Sequence, residues 1–123
     1  MGAAVKRMER RALRRLPLRV MVEYECLEDF LIDYTANVSV GGMFIRTDTP
    51  LDEGTRFRLR FQVPGRGRPI ETYGEVRWTL SPQDAGPMVP GMGVQFDELS
   101  PTDHRAVLKM LDDWEDGVVP FPG

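Results

Sequence analysis

Apolar and polar side chains alternate along most of this chain. Leu18, Val20, Val22 and Tyr24 alternate with Arg19, Met21, Glu23 and Glu25, the period of a strand with one buried face. A turn at Glu28-Asp29 leads to a second alternation, Phe30, Ile32, Tyr34 and Ala36 against Leu31, Asp33, Thr35 and Asn37. A third strand runs from Met43 to Arg46 and stops at the turn Asp48-Thr49-Pro50. Phe57, Leu59 and Phe61 alternate with Arg56, Arg58, Arg60 and Gln62 over a fourth. Pro and Gly at 64–69 form a hairpin loop. Ile70 to Leu80 predicts a fifth strand, with Val76 and Trp78 on one face, and Met92 to Phe96 a sixth. Between them, 81–91 reads as a long loop.

The period changes to that of a helix after Ser100. Ser100 is a good N-cap, Pro101 takes the first helical position, and Asp103 follows in the first turn. Val107, Leu108, Leu111 and Trp114 predict one apolar face. Asp112, Asp113, Glu115 and Asp116 place acid where the helix dipole disfavours it, so this end is expected to fray before Gly117. Six short strands with close-spaced turns predict a small antiparallel barrel or sandwich, and one helix must plug an open side or end of it.

Length and composition narrow the class. The 123 residues suffice for one domain with one core. A single cysteine, Cys26, excludes an internal disulfide and a cysteine-based zinc cluster. No apolar run approaches a membrane span of about 18 residues, and the basic N-terminus has no apolar segment after it. A cytoplasmic protein is the expectation. The net charge of −3 hides an asymmetry. Lys6, Arg7, Arg10, Arg11, Arg14, Arg15 and Arg19 face only Glu9 in the first 19 residues, so the rest of the chain is strongly acidic. Residues 1–15 read as a mobile basic arm, 16–116 as the folded domain, and 117–123 as a tail. A basic arm on an acidic body suits an anionic partner.

Candidate chemistry collects at two places. In the stretch from Asn37 to Phe44, Asn37 and Ser39 offer short hydrogen-bonding side chains, and Gly41-Gly42 permits a positive φ and close approach of another molecule. Upstream stand Arg10, Arg11, Arg14 and Arg15. His104, in the first turn of the helix, has no Ser, Cys or acidic constellation around it in sequence, and no Walker loop or nucleophile elbow occurs, so no enzyme is expected. The acidic helix end lacks the calcium-loop pattern, and no metal site is expected.

Arg11-Ala12-Leu13-Arg14-Arg15 fits Arg-x-x-x-Arg, and Asn37 to Gly42 fits (Asp/Asn)-x-Ser-x-x-Gly. Gly74-Glu-Val-Arg-Trp78 and Gly91-Met-Gly-Val-Gln-Phe96 follow in order. Together these residues resemble the PilZ domain, the bacterial receptor module for cyclic di-GMP, over roughly 9–114. The resemblance implies a six-stranded antiparallel Greek-key β-barrel with a C-terminal α-helix. It implies a ligand on the outer barrel surface, clasped by the arm, with Arg11 and Arg15 from the arm and Asn37, Ser39 and Gly42 from the barrel. Arg10-x-x-x-Arg14 and Arg15-x-x-x-Arg19 are alternative registers. Arg14, Gly41, Trp78 and Met92 are further candidates. An arginine before the motif, here Arg10, implies an intercalated pair of ligand molecules.

The residue types suit this ligand. A guanidinium fork matches phosphate oxygens and the guanine O6/N7 edge, and stacks on a purine. A receptor of this kind relays occupancy to an unidentified downstream protein. Two alternatives stay open: a PilZ-fold protein adaptor that binds no nucleotide, and a small-barrel nucleic-acid binder. The second lacks the solvent-facing aromatic clusters that stack bases.

Overall fold

The computed structural model describes residues 14–118. Its strands are β1 (Arg15–Leu16), β2 (Met21–Cys26), β3 (Asp29–Ser39), β4 (Gly42–Arg46), β5 (Arg56–Phe61), β6 (Ile70–Leu80) and β7 (Gly91–Phe96). A short helix α1 (Pro82–Ala85) precedes β7, and α2 (Pro101–Glu115) follows it. The ladder runs β3-β2-β5-β6-β7-β4, every pair antiparallel, and β4 pairs back onto β3. Six strands thus close a barrel without a free sheet edge around its circuit. β4 lies beside β7 while β5 starts beside β2, which is the Greek-key arrangement. The two-residue β1 is an annex, pairing Arg15 with Ser39 and Leu16 with Val38.

Alternation decides the core. In β5, Arg56, Arg58 and Arg60 are exposed, while Phe57, Leu59 and Phe61 are buried. They meet Val22, Tyr24, Ile70, Val76 and Val94 inside, and α2 adds Val107, Met110 and Leu111. The buried stripe of α2 thus includes Met110, while Leu108 lies at its margin and Trp114 is part exposed. On β3 the apolar Phe30, Ile32 and Tyr34 face outward.

The strand predicted from Leu18 begins only at Met21, although Leu18 and Val20 are core residues. Pro17 cannot donate to a ladder. The buried Thr35 hydroxyl replaces ladder partners here, accepting from the Val20 N–H (2.8 Å) and donating to the Leu18 carbonyl (2.7 Å). The stretch 81–91, expected as loop, contains α1. Ser81 caps it by accepting from the Asp84 N–H, the same Ser-Pro-x-Asp chemistry by which Ser100 caps α2. The acidic end of α2 is closed rather than open. Gly117 adopts φ +81°, and the Val118 N–H donates to the Asp113 carbonyl at 2.8 Å.

Candidate functional site

Two bulges shape one wall of the barrel. In β3, Thr35 pairs with Ile45 but Asn37 with Phe44, so Ala36 is an extra residue. In β6, Val76 pairs with Val94 but Trp78 with Gly93, so Arg77 is an extra residue. A bulge re-aims the side chains that follow it. Phe44 and Gly93 are themselves partners, so Asn37, Phe44, Gly93 and Trp78 form one row across β3, β4, β7 and β6.

That row builds an aromatic platform on the outer surface. Phe44 is buried although it is not among the barrel-core side chains, because Trp78 stacks on it, with centroids 5.0 Å apart and planes 22° from parallel. The stack crosses Gly93, where a Cβ would collide with the indole Nε1. Trp78 itself is 49% exposed, so one broad flank of the ring stays available. The expectation that Val76 and Trp78 share a face is corrected by the bulge: Val76 is buried and Trp78 is outside.

Beside the platform lies an open cleft of about 350 Å³. Arg15, Ser39, Gly41, Trp78, Arg77 and Gln95 line it, and Gly93 and Val94 form its floor. Arg15 reaches it from β1, where its backbone pairs with Ser39, and its Nη1 donates to Asn37 Oδ1 at 2.6 Å. Ser39 donates its hydroxyl to the Gly42 carbonyl at 3.2 Å and is nearly buried. Among the described residues, no carboxylate lines the cleft. The cavity beyond Gly41, by contrast, includes Asp97, Glu98 and His104.

The structure sorts the candidates. Arg15, Ser39, Gly41 and Trp78 share the cleft, and Asn37 is tied to it through Arg15. Arg10 and Arg11 lie outside the described residues. Gly42 has a part in the barrel itself. It is buried, and a Cβ there would collide with the Val94 carbonyl, so its missing side chain serves the β4–β7 contact. Neither Gly41 nor Gly42 adopts a positive φ. Met92 is wholly buried in the core, because β7 alternates and Met92 sits on its inner face. Arg14 turns away from the cleft. Its guanidinium pairs with Asp112 Oδ1 and Glu115 Oε1, each at 2.7 Å, and donates to the Leu108 carbonyl at 3.3 Å. Burial would lower its pKa, but the two carboxylates outweigh that and hold it above its usual value.

Sequence reasoning passed over Phe44, Arg77, Gly93 and Gln95. The glycine at every second position of Gly91-Met92-Gly93 was the available signal, since strand glycines mark places where another group approaches closely. Among the described residues, no cluster of histidine, cysteine and carboxylate could hold a metal, and no helix is long and apolar enough to cross a membrane.

Comparison with known proteins gives the wider setting. The family model for the PilZ domain matches residues 7–113. The fold is similar to the Bacillus subtilis inhibitor of motility MotI/DgrA, with TM-score 0.69 and 20% identity over 84% of this chain and 49% of that one. It is similar to YcgR from Escherichia coli in complex with c-di-GMP, with TM-score 0.67 and 18% identity over 85% and 45%. The separate PilZ domain of YcgR with c-di-GMP gives TM-score 0.61 and 16% identity over 86% and 96%. The chain therefore spans about half the length of the first two. The comparison with curated proteins returned no match.

Proposed function

Since the chain belongs to the PilZ domain family, we propose that it is a cytoplasmic receptor for cyclic di-GMP that relays occupancy to a partner protein through its N-terminal arm. One observation carries this reading. Arg15, Ser39 and the Trp78 ring, from three separate parts of the sequence, line one cleft with no carboxylate among the described residues, and Asn37 is bonded to Arg15 beside it. A guanidinium for phosphate or guanine, an amide for a base edge and an indole for stacking are the groups a purine dinucleotide requires. The likeness of fold to two c-di-GMP complexes of YcgR supports the same ligand. Arg11 from the arm completes the set in this proposal, with Arg10 beside it. An output on motility accords with the likeness to MotI/DgrA.

Calorimetric titration with cyclic di-GMP, cyclic di-AMP and a short oligonucleotide tests the proposal. Cyclic di-GMP is expected to bind and the other two to bind far more weakly. Arg11→Ala or Arg15→Ala is expected to weaken binding by at least about tenfold, the value of one charge-assisted hydrogen bond. Wild-type affinity in both variants would refute the arginine assignment. A second reading, a protein adaptor without nucleotide, rests on the exposed apolar row Phe30, Ile32 and Tyr34 along β3. A folded wild type that binds none of the three probes would favour it.

A further inference from the structure

A strand presents alternate side chains to opposite faces, and β6 breaks that rule at its bulge. Val76 is buried, and then Arg77 and Trp78 are both exposed. The inserted residue therefore places a cation and an aromatic ring side by side on one outer surface. The ring is held flat by Phe44 and by the missing side chain of Gly93. The cation is held by Glu75, whose Oε2 accepts from Arg77 Nη1 at 3.1 Å.

Arg77 lines the same cleft as Arg15, although their strands lie at opposite ends of the wall β1-β3-β4-β7-β6. Two guanidiniums thus converge on a space with no lining carboxylate among the described residues, in a chain whose net charge is −3. Exposed ion pairs contribute little stability, so the Glu75 contact does not by itself account for this placement. It restricts the side chain while leaving it 58% exposed and able to take another acceptor. A cation on a paired strand also loses less backbone freedom on binding than one on an unpaired segment.

We propose that Arg77 is a ligand-binding residue whose guanidinium takes a phosphate of the cyclic dinucleotide, one base of which lies on Trp78. This rests on the receptor reading above and adds to it an anion contact carried by the barrel itself. The bulge is what couples phosphate recognition to base stacking, because it sets the two groups next to each other.

Titration of the full chain with cyclic di-GMP at several salt concentrations tests this, using wild type, Arg77→Ala, Arg77→Lys and Arg58→Ala. Arg58 is exposed on β5 and lines another groove, with Glu23, Glu25 and Glu71. Arg77→Ala is expected to bind about tenfold more weakly and to lose part of the salt dependence, since one phosphate contact is gone. Arg77→Lys is expected to recover the salt dependence but only part of the affinity, because an ammonium lacks the fork. Arg58→Ala should match wild type. If wild type binds and Arg77→Ala matches it, the inference fails while the receptor reading stands. Weaker binding with an unchanged salt dependence would assign Arg77 a structural part and also overturn the inference. A wild type that does not bind cyclic di-GMP overturns both.

Discussion

Gly93 is bare because Trp78 occupies the space where its side chain would be. That single vacancy lets the indole cross β7 and lie on Phe44, which leaves a flat ring at the edge of the cleft. Gly93→Ala is expected to lift the indole off Phe44. The measurable results are a red shift of tryptophan emission and weaker cyclic di-GMP binding. Loss of a stacked base is worth about 1–3 kcal/mol, so the affinity should fall roughly tenfold or more. Trp114 is the only other tryptophan and lies on α2, so Trp114→Phe in the background assigns the emission to Trp78. Emission and affinity both unchanged by Gly93→Ala would contradict the platform. Gly42 illustrates the opposite case. It belongs to the Asn37–Gly42 motif, and its bareness makes room for the Val94 carbonyl of the neighbouring strand.

At the scale of elements, β1 ties two regions together. Arg15 and Arg14 are successive residues that point to different partners. Arg15 bonds Asn37 at the cleft, and Arg14 holds Asp112 and Glu115 in the last turns of α2. The acidic run at that helix end is unfavourable to the dipole, and Arg14 together with Lys109, which pairs with Asp113 at 2.8 Å, offsets it. Arg14→Ala is expected to speed hydrogen exchange of amides in 112–118 and to lower stability by about 1 kcal/mol, since both carboxylates remain partly solvated. The same substitution should change cyclic di-GMP affinity only a little, because Arg14 does not line the cleft. Exchange at the helix end that matches wild type would show the clamp to be without consequence.

The whole molecule sets charge against charge. A basic N-terminal stretch precedes an acidic body, and the cleft, with no lining carboxylate among the described residues, receives Arg15 beside Arg77. Under the proposed function, a ligand bearing two phosphates is drawn to the cleft and held there by arginines from both parts. Two stacked dinucleotides would bring four phosphates together and need further positive charge to offset their repulsion. Arg10 is the residue proposed to supply it. Saturation is therefore expected at two nucleotides per chain, with Arg10→Leu moving the stoichiometry toward one. Calorimetry and sedimentation of the saturated complex both read this number, and a wild type that saturates at one would refute it. Slower exchange over residues 6–17 on adding nucleotide is the companion observation for a relay through the arm.

Local pattern alone determined the six barrel strands and the long helix. Alternation is a property of consecutive residues, and burial on one face follows from it; the Ser100 cap and Pro101 likewise act within one turn. The motif residues Arg15, Asn37, Ser39 and Trp78 were legible as candidates because their chemistry is written in their types. What only the tertiary structure decided was where side chains go once two strands pair. An inserted residue is invisible to period counting, since a bulge is defined by the partner strand. That is why Trp78 was expected beside Val76 and lies outside, and why Arg77 was passed over. Met92 was read as a candidate ligand contact, but the pleat turns it into the core, and only strand pairing shows that the β7 backbone fills the space beside Gly42. Arg14 finds its carboxylates about a hundred residues away, a separation across which sequence carries charge but no geometry.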